Sequence, residues 1–124
     1  MNYKITPSME DYLEAIFSLG ESNETIHVKD IADKLHVRMA SVTEALQNLA
    51  KHDLVIYTPY KNVVLTKKGV TVGRQVYEKH LLLVLFLEKT LEIPHDIAEL
   101  DACKMEHILS AETLDSIIRL MKRN

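Results

Sequence analysis

Apolar residues recur along this chain with two periods, and the switches between them mark out its elements. Met9, Tyr12, Leu13, Ile16 and Phe17 follow helical spacing and predict a first helix that opens at Pro7-Ser8 and ends near Gly20. Proline suits a first helical turn, and Glu10 and Asp11 place acid at the positive end of the helix dipole. The polar stretch ESNET reads as a loop. Two short stripes follow, Val28–Ile31–Ala32–Leu35 and Val42–Ala45–Leu46–Leu49, and His36-Val37-Arg38-Met39 leaves room between them for only a tight turn. The pattern then becomes strand-like. Val55 to Tyr57 and Val63 to Leu65 are β-branched and aromatic runs around Pro59, Lys61 and Asn62, which predicts a small hairpin. Thr66 is a good N-cap for a long helix through Val72, Val76, His80, Val84 and Leu87, stopped by Ile93-Pro94. A helix from about Asp96 carries Ile97, Leu100, Met105, Ile108 and Leu109. Ser110 starts a last one with Leu114, Ile117, Ile118 and Leu120.

The order is three helices, a hairpin and three more helices. Two short helices joined by a tight turn and followed at once by a hairpin make a winged helix-turn-helix. The predicted fold class is therefore mainly α: a winged helix-turn-helix domain over residues 1–72, followed by an all-helical domain over residues 73–124. With 124 residues, 47% hydrophobic and 27% charged, the composition is that of an ordinary globular domain and excludes a disordered or low-complexity chain. The longest apolar run, LLLVLFL from Leu81, falls well short of the ~18 residues that span a bilayer. The opening MNYKITPSMEDYLE lacks the apolar stretch of a signal peptide, and a single cysteine cannot form an internal disulfide. The expected setting is reducing and cytoplasmic, with no membrane partner.

The net charge of −3 hides an uneven distribution. Residues 1–25 carry −4, with one lysine and five acids. Residues 26–75 carry +4, with eight bases (Lys29, Lys34, Arg38, Lys51, Lys61, Lys67, Lys68, Arg74) against four acids. Residues 76–124 carry −3. A basic middle between acidic flanks suits a polyanion. In a helix-turn-helix the second helix enters the major groove of double-stranded DNA. If Val42, Ala45, Leu46 and Leu49 face inward, then Met39, Ser41, Thr43, Glu44, Gln47, Asn48 and Lys51 face outward. Ser41, Thr43 and Gln47 suit bases or phosphates, and Arg38, Lys51 and Lys61 suit phosphates, with Tyr60 beside Lys61 at the hairpin tip. Glu44 counts against this, because a carboxylate in the groove meets the phosphate potential unless it accepts from a cytosine amino group. A plain helical domain with a solvated face is the competing reading.

The ends carry a second signal. Asp11 and Glu14 are neighbours at i, i+3 on the first helix, off its apolar stripe; such a pair also occurs on any solvated face. His80 stands in line with Val76 and Val84 on a stripe expected to be buried, where a lone histidine is also a common core residue. Cys103, Glu106 and His107 stand at i, i+3 and i+4 and crowd one side of a helix. Thiolate, carboxylate and imidazole are transition-metal ligands by type, although a lone cysteine also serves as a small core hydrophobe. A cysteine nucleophile with a histidine base is the catalytic alternative. It lacks a Gly-rich turn or nest for an oxyanion hole, and no enzyme is expected.

The segments PSMEDYLEAIFSL, VKDIADKLHVRMASVTEALQNLAKHDLVIYTPYKNVVLTKKG and CKMEHILS resemble the diphtheria-toxin-repressor family of metal-dependent transcription regulators, and within it the short manganese-transport-regulator branch. The resemblance runs over nearly the whole chain in the family's order. It implies a homodimer in which residues 73–124 form the metal-binding and dimerisation domain, without the SH3-like domain of the longer branch. It also implies a repressor of metal-uptake genes acting at an inverted-repeat operator. By position, Asp11 and Glu14 match the first-helix ligands, His80 the histidine of the long linking helix, and Glu106 and His107 the glutamate-histidine pair. Cys103 departs from the manganese branch, which usually has glutamate there, and matches the iron-responsive branch, whereas Asp11 stands where the iron branch has methionine. The oxygen donors suit Mn²⁺, and the thiolate favours Fe²⁺, Zn²⁺ or Co²⁺.

The mechanism expected from these residues is a metal-controlled staple. Four anionic donors repel without a cation. With one, the first helix is held to the linking and fifth helices, and the two recognition helices of a dimer are spaced about one DNA turn, ~34 Å, apart.

Overall fold

The computed structural model describes residues 5–123. In chain order they form α1 (Pro7–Ser22), α2 (Val28–Leu35), α3 (Met39–Lys51), β1 (Val55–Ile56), β2 (Val64–Leu65), α4 (Lys67–Lys89), α5 (His95–Ile108) and α6 (Ala111–Arg123). This is the winged helix-turn-helix order followed by a helical part, the mainly α class that the spacing predicts. Two compact units are present, one ending at Tyr77 and the other starting at Glu78, so the division falls inside α4. Among the described residues no helix is long and apolar enough to cross a membrane.

In the first unit, Thr6 caps α1 by accepting from the Met9 N–H at 3.2 Å, with Pro7 in the first turn. The helix continues two residues past Gly20. Gly20 does not adopt the left-handed conformation that ends many helices. Instead Asn23 closes α1, its side-chain amide donating to the Leu19 carbonyl at 2.8 Å. At the start of α2 the His27 N–H donates to the Asp30 carboxylate at 2.8 Å. At its end His36 takes a left-handed conformation (φ 57°), and its N–H and that of Val37 both turn back to the Ala32 carbonyl. That is the tight turn required between the two stripes. Leu13 and Ile16 of α1, Ile31 of α2, Val42, Leu46 and Leu49 of α3 and Leu54 then fill one core. Each such side chain contributes about 1.5–3 kcal/mol on burial.

The hairpin pairs Val55 with Leu65 and Ile56 with Val64, two residues per strand, and is shorter than the β-branched runs predict. The cause is a competing partner: the Val63 N–H donates to the Ile26 carbonyl at 2.8 Å, tying the wing to the segment before α2. Thr66 caps α4 as expected, accepting from the Gly69 N–H at 3.0 Å while donating to the Asp53 carbonyl at 2.7 Å. Gly69 is required here, because a Cβ at this position would lie 1.9 Å from the Leu54 carbonyl oxygen. Gly73 similarly lets α4 approach the Leu13 carbonyl of α1, where a Cβ would come to 3.0 Å.

In the second unit α4 stops at Lys89, ahead of the Ile93-Pro94 that the sequence marks as its end. Glu92 is left-handed (φ 57°), and the Ile93 N–H reaches back to the Leu87 carbonyl at 2.9 Å, closing the helix before the proline acts. Ser110 caps α6 by accepting from the Thr113 N–H at 3.1 Å. The core holds Leu83, Val84, Leu87, Ala98, Ala102 and Ile117, with Met105, Leu109 and Leu114 packed against it. The apolar positions Ile97, Leu100 and Ile108 of α5 are exposed. Alanines rather than large side chains form the inward face of this helix.

Gly69→Ala places a methyl group against a backbone carbonyl that cannot rotate away. It is expected to destabilise the first unit by about 1–3 kcal/mol, read as a lower denaturant midpoint at unchanged slope. Wild-type stability in this variant contradicts the close approach.

Candidate metal centre and nucleic-acid face

The inward face of α5 runs Ala98, Ala102, Glu106 at four-residue steps, so a carboxylate occupies the position where the next core side chain would sit. Glu106 is 2% exposed, and among the described residues it is the buried charged one. One carboxylate oxygen, Oε2, lies 2.8 Å from Nδ1 of His80 on α4. The other, Oε1, is buried without a hydrogen-bond partner. Nε2 of His107 stands 3.6 Å from it, beyond hydrogen-bond length. Leaving a buried acceptor unmet costs on the order of 1–3 kcal/mol, more for a charged one. The Lys79 ammonium donates to the Glu106 carbonyl at 3.1 Å.

His80 is both the buried stripe residue and a polar junction. Its Nε2 lies 2.7 Å from the Glu99 carboxylate while its Nδ1 faces Glu106. Glu99 is not among the residues that the sequence pattern singles out. The available signal was its place seven residues before Glu106, two turns back along α5. A second histidine extends the line: His95 has Nε2 3.7 Å from Glu99 and Nδ1 3.2 Å from Glu88.

Of the six metal-ligand candidates, the second unit brings His80, Glu106 and His107 together. Cys103 lies one turn before Glu106 and His107 on α5, exposed and outside any disulfide. Asp11 and Glu14 belong to the first unit, half-buried on α1 beside the buried Tyr12, Leu13 and Ala15. An unmatched buried carboxylate oxygen near two imidazoles suits a divalent transition ion by donor type. The residues present therefore fit such an ion.

The face of α3 opposite the core carries the residues expected there. Val42, Leu46 and Leu49 are buried, while Met39, Ser41, Glu44, Gln47, Asn48 and Lys51 are exposed, as are Arg38 before the helix and Tyr60 and Lys61 at the wing tip. Thr43 is half-buried, and its hydroxyl donates to the Ala40 carbonyl of its own helix at 2.9 Å. Between the start of α1 and this face runs an open groove of about 620 Å³ whose lining includes Ser8, Tyr12, Ser41, Glu44, Gln47 and Lys51. Burial, and secondarily the Glu44 carboxylate, hold the Tyr12 phenol above its ordinary pKa.

The family model for the iron dependent repressor N-terminal DNA binding domain matches residues 4–63, and that for the iron dependent repressor metal binding and dimerisation domain matches residues 66–124. An HTH-type transcriptional regulator MntR of Listeria monocytogenes is 43% identical over 112 residues, 90% of this chain and 78% of the relative. The regulator of the same name from Bacillus subtilis is 39% identical over the same coverage. Among solved structures, that of the manganese regulator SloR superposes with a TM-score of 0.82 at 30% identity, covering 98% of this chain and 56% of that one. The chain thus spans little more than half the length of that solved chain.

The raised pKa of Tyr12 fixes the sign of a pH effect. The folded chain holds the phenolic proton more tightly than the unfolded chain. The resulting stabilisation is present below the ordinary phenol pKa of ~10 and is lost as pH rises through the raised value. In an alkaline absorbance titration one of the five tyrosines is expected to ionise after the others, and Tyr12→Phe is expected to remove that late component. A late component that persists in Tyr12→Phe assigns it elsewhere.

Proposed function

We propose that this chain, which belongs to the iron-dependent repressor family, represses metal-uptake genes by gripping its operator when a divalent transition ion is bound. Mn²⁺ is the first assignment, with Fe²⁺, Zn²⁺ and Co²⁺ as alternatives. The observation that carries the reading is the buried, unpartnered oxygen of Glu106 beside two imidazoles. A charge at a core position is costly unless it is fully paired, and a bound ion would complete the pairing that His80 begins. The manganese assignment is supported by the relatives, two of them named HTH-type transcriptional regulator MntR and a solved one described as the manganese regulator SloR, and by the oxygen donors.

In this reading His80, Glu106 and His107 form the heart of the centre, Cys103 adds a thiolate, and Asp11 and Glu14 of α1 complete the donor set. A bound ion supplies the positive charge that offsets three carboxylates and a thiolate. Holding α1 in place also holds the helix-turn-helix packed on it, so the DNA-competent arrangement gains population by the difference in ion affinity between the two states. Arg38, Met39, Ser41, Thr43 and Gln47 then meet bases and adjacent phosphates. Lys51 and the wing residues Tyr60 and Lys61 take the backbone. Two copies read an inverted repeat, and the exposed Leu85, Ile97, Leu100 and Ile108 of the second unit supply apolar area for pairing. The chain is a regulator and not an enzyme, and its proposed location is the cytoplasm.

The test is a gel-shift titration on operator DNA with and without Mn²⁺. His107→Ala is expected to weaken metal-stimulated binding by at least about tenfold while its circular dichroism stays that of the wild type. An undiminished metal response removes His107 from the centre. Cys103→Glu replaces a soft donor by a hard one and is expected to move preference from Zn²⁺ toward Mn²⁺ in competitive titration. Identical preferences in the two proteins take the thiolate out of the donor set.

A further inference from the structure

We infer that Glu99 is a positioning residue that presents Nδ1 of His80, and not Nε2, to the bound metal. The inference rests on the proposed metal centre and specifies how one of its ligands is aimed. His80 is clamped between two carboxylates, with Nε2 2.7 Å from Glu99 and Nδ1 2.8 Å from Glu106. These two sides of the ring are not equivalent. The Glu106 side chain is fully buried and keeps an oxygen without a partner, whereas the Glu99 side chain is 43% exposed. A cation that satisfies the buried oxygen therefore belongs on the Nδ1 side.

A neutral imidazole has one lone pair and one N–H. Coordination through Nδ1 demands the proton on Nε2, and Glu99 is the acceptor already placed for it. The two ring nitrogens diverge, so a carboxylate that accepts from Nε2 lies across the ring from an ion on Nδ1 and is not itself a ligand of that ion. His95 stands 3.7 Å from Glu99, beyond hydrogen-bond length, with its other nitrogen 3.2 Å from Glu88. A carboxylate that orients a ligating histidine in this way also raises its basicity, and its loss typically costs 10–100-fold in metal affinity.

The experiment uses ¹⁵N-histidine-labelled chain with ¹¹³Cd²⁺ as a diamagnetic probe, comparing wild type, Glu99→Ala and Glu99→Gln. In the wild type, cadmium coupling is expected on Nδ1 of His80, with a slowly exchanging Nε2–H. Glu99→Ala is expected to lose that N–H signal and to bind Cd²⁺ about 10–100-fold more weakly. Glu99→Gln, whose amide oxygen still accepts, is expected to recover most of both. Coupling on Nε2 overturns the inference. So does a Glu99→Ala protein with wild-type affinity and unshifted His80 signals. Failure of the wild type to bind Cd²⁺ saturably is a separate result: it defeats the metal centre itself, and the role of Glu99 falls with it.

Discussion

The second unit is organised around a charge placed where an apolar side chain would normally pack. Glu106 continues the inward face begun by Ala98 and Ala102, yet it brings a carboxylate into a core otherwise built of Leu83, Val84, Leu87 and Ile117. Burying such a group is unfavourable unless it is paired and hydrogen-bonded. Part of that need is met by His80, whereas the Lys79 ammonium satisfies only the Glu106 main-chain carbonyl. On the proposed reading, a cation that met the remaining oxygen would stabilise this region, and ion binding and stability would be linked quantities.

The first unit answers a different constraint. Its reading helix must expose a polar face while the opposite face is gripped firmly enough to hold its angle. Three buried side chains of α3, a left-handed residue between α2 and α3 and a wing tied to Ile26 provide that grip without using any outward group. Glu44, which sits poorly with phosphate on sequence grounds, lies near the Tyr12 phenol and raises its pKa. Its carboxylate thus acts on the fold's own side of the groove as well as on solvent.

How much of this was legible beforehand varied with the kind of signal. The α2–turn–α3 unit followed from two short stripes and the lack of room between them, and local chemistry alone identified the Thr66 and Ser110 caps. The length of the hairpin depended on Val63 pairing with Ile26, a distant backbone bond that no alternation of side chains encodes. In α5 the apolar count pointed to Ile97, Leu100 and Ile108, but the helix turns its alanines inward and leaves those three exposed. His80 was legible as mostly buried, and its contacts with Glu99 and Glu106 were not, because those residues come from another helix. Donor types at 11, 14, 103, 106 and 107 were readable one residue at a time. That His80, Glu106 and His107 come together is a property of packing within the second unit, which spacing along a single helix cannot supply.

The alanine face of α5 also limits how such a protein changes over generations. Ala98 and Ala102 are both fully buried, so a bulkier residue at either would push the helix outward and, on the proposed reading, disturb the spacing of the donors it carries. A change of ion preference would then come more easily from exchanging donor atoms on an unmoved backbone. Position 103, exposed and one turn from the buried glutamate, is where that exchange disturbs the packing least.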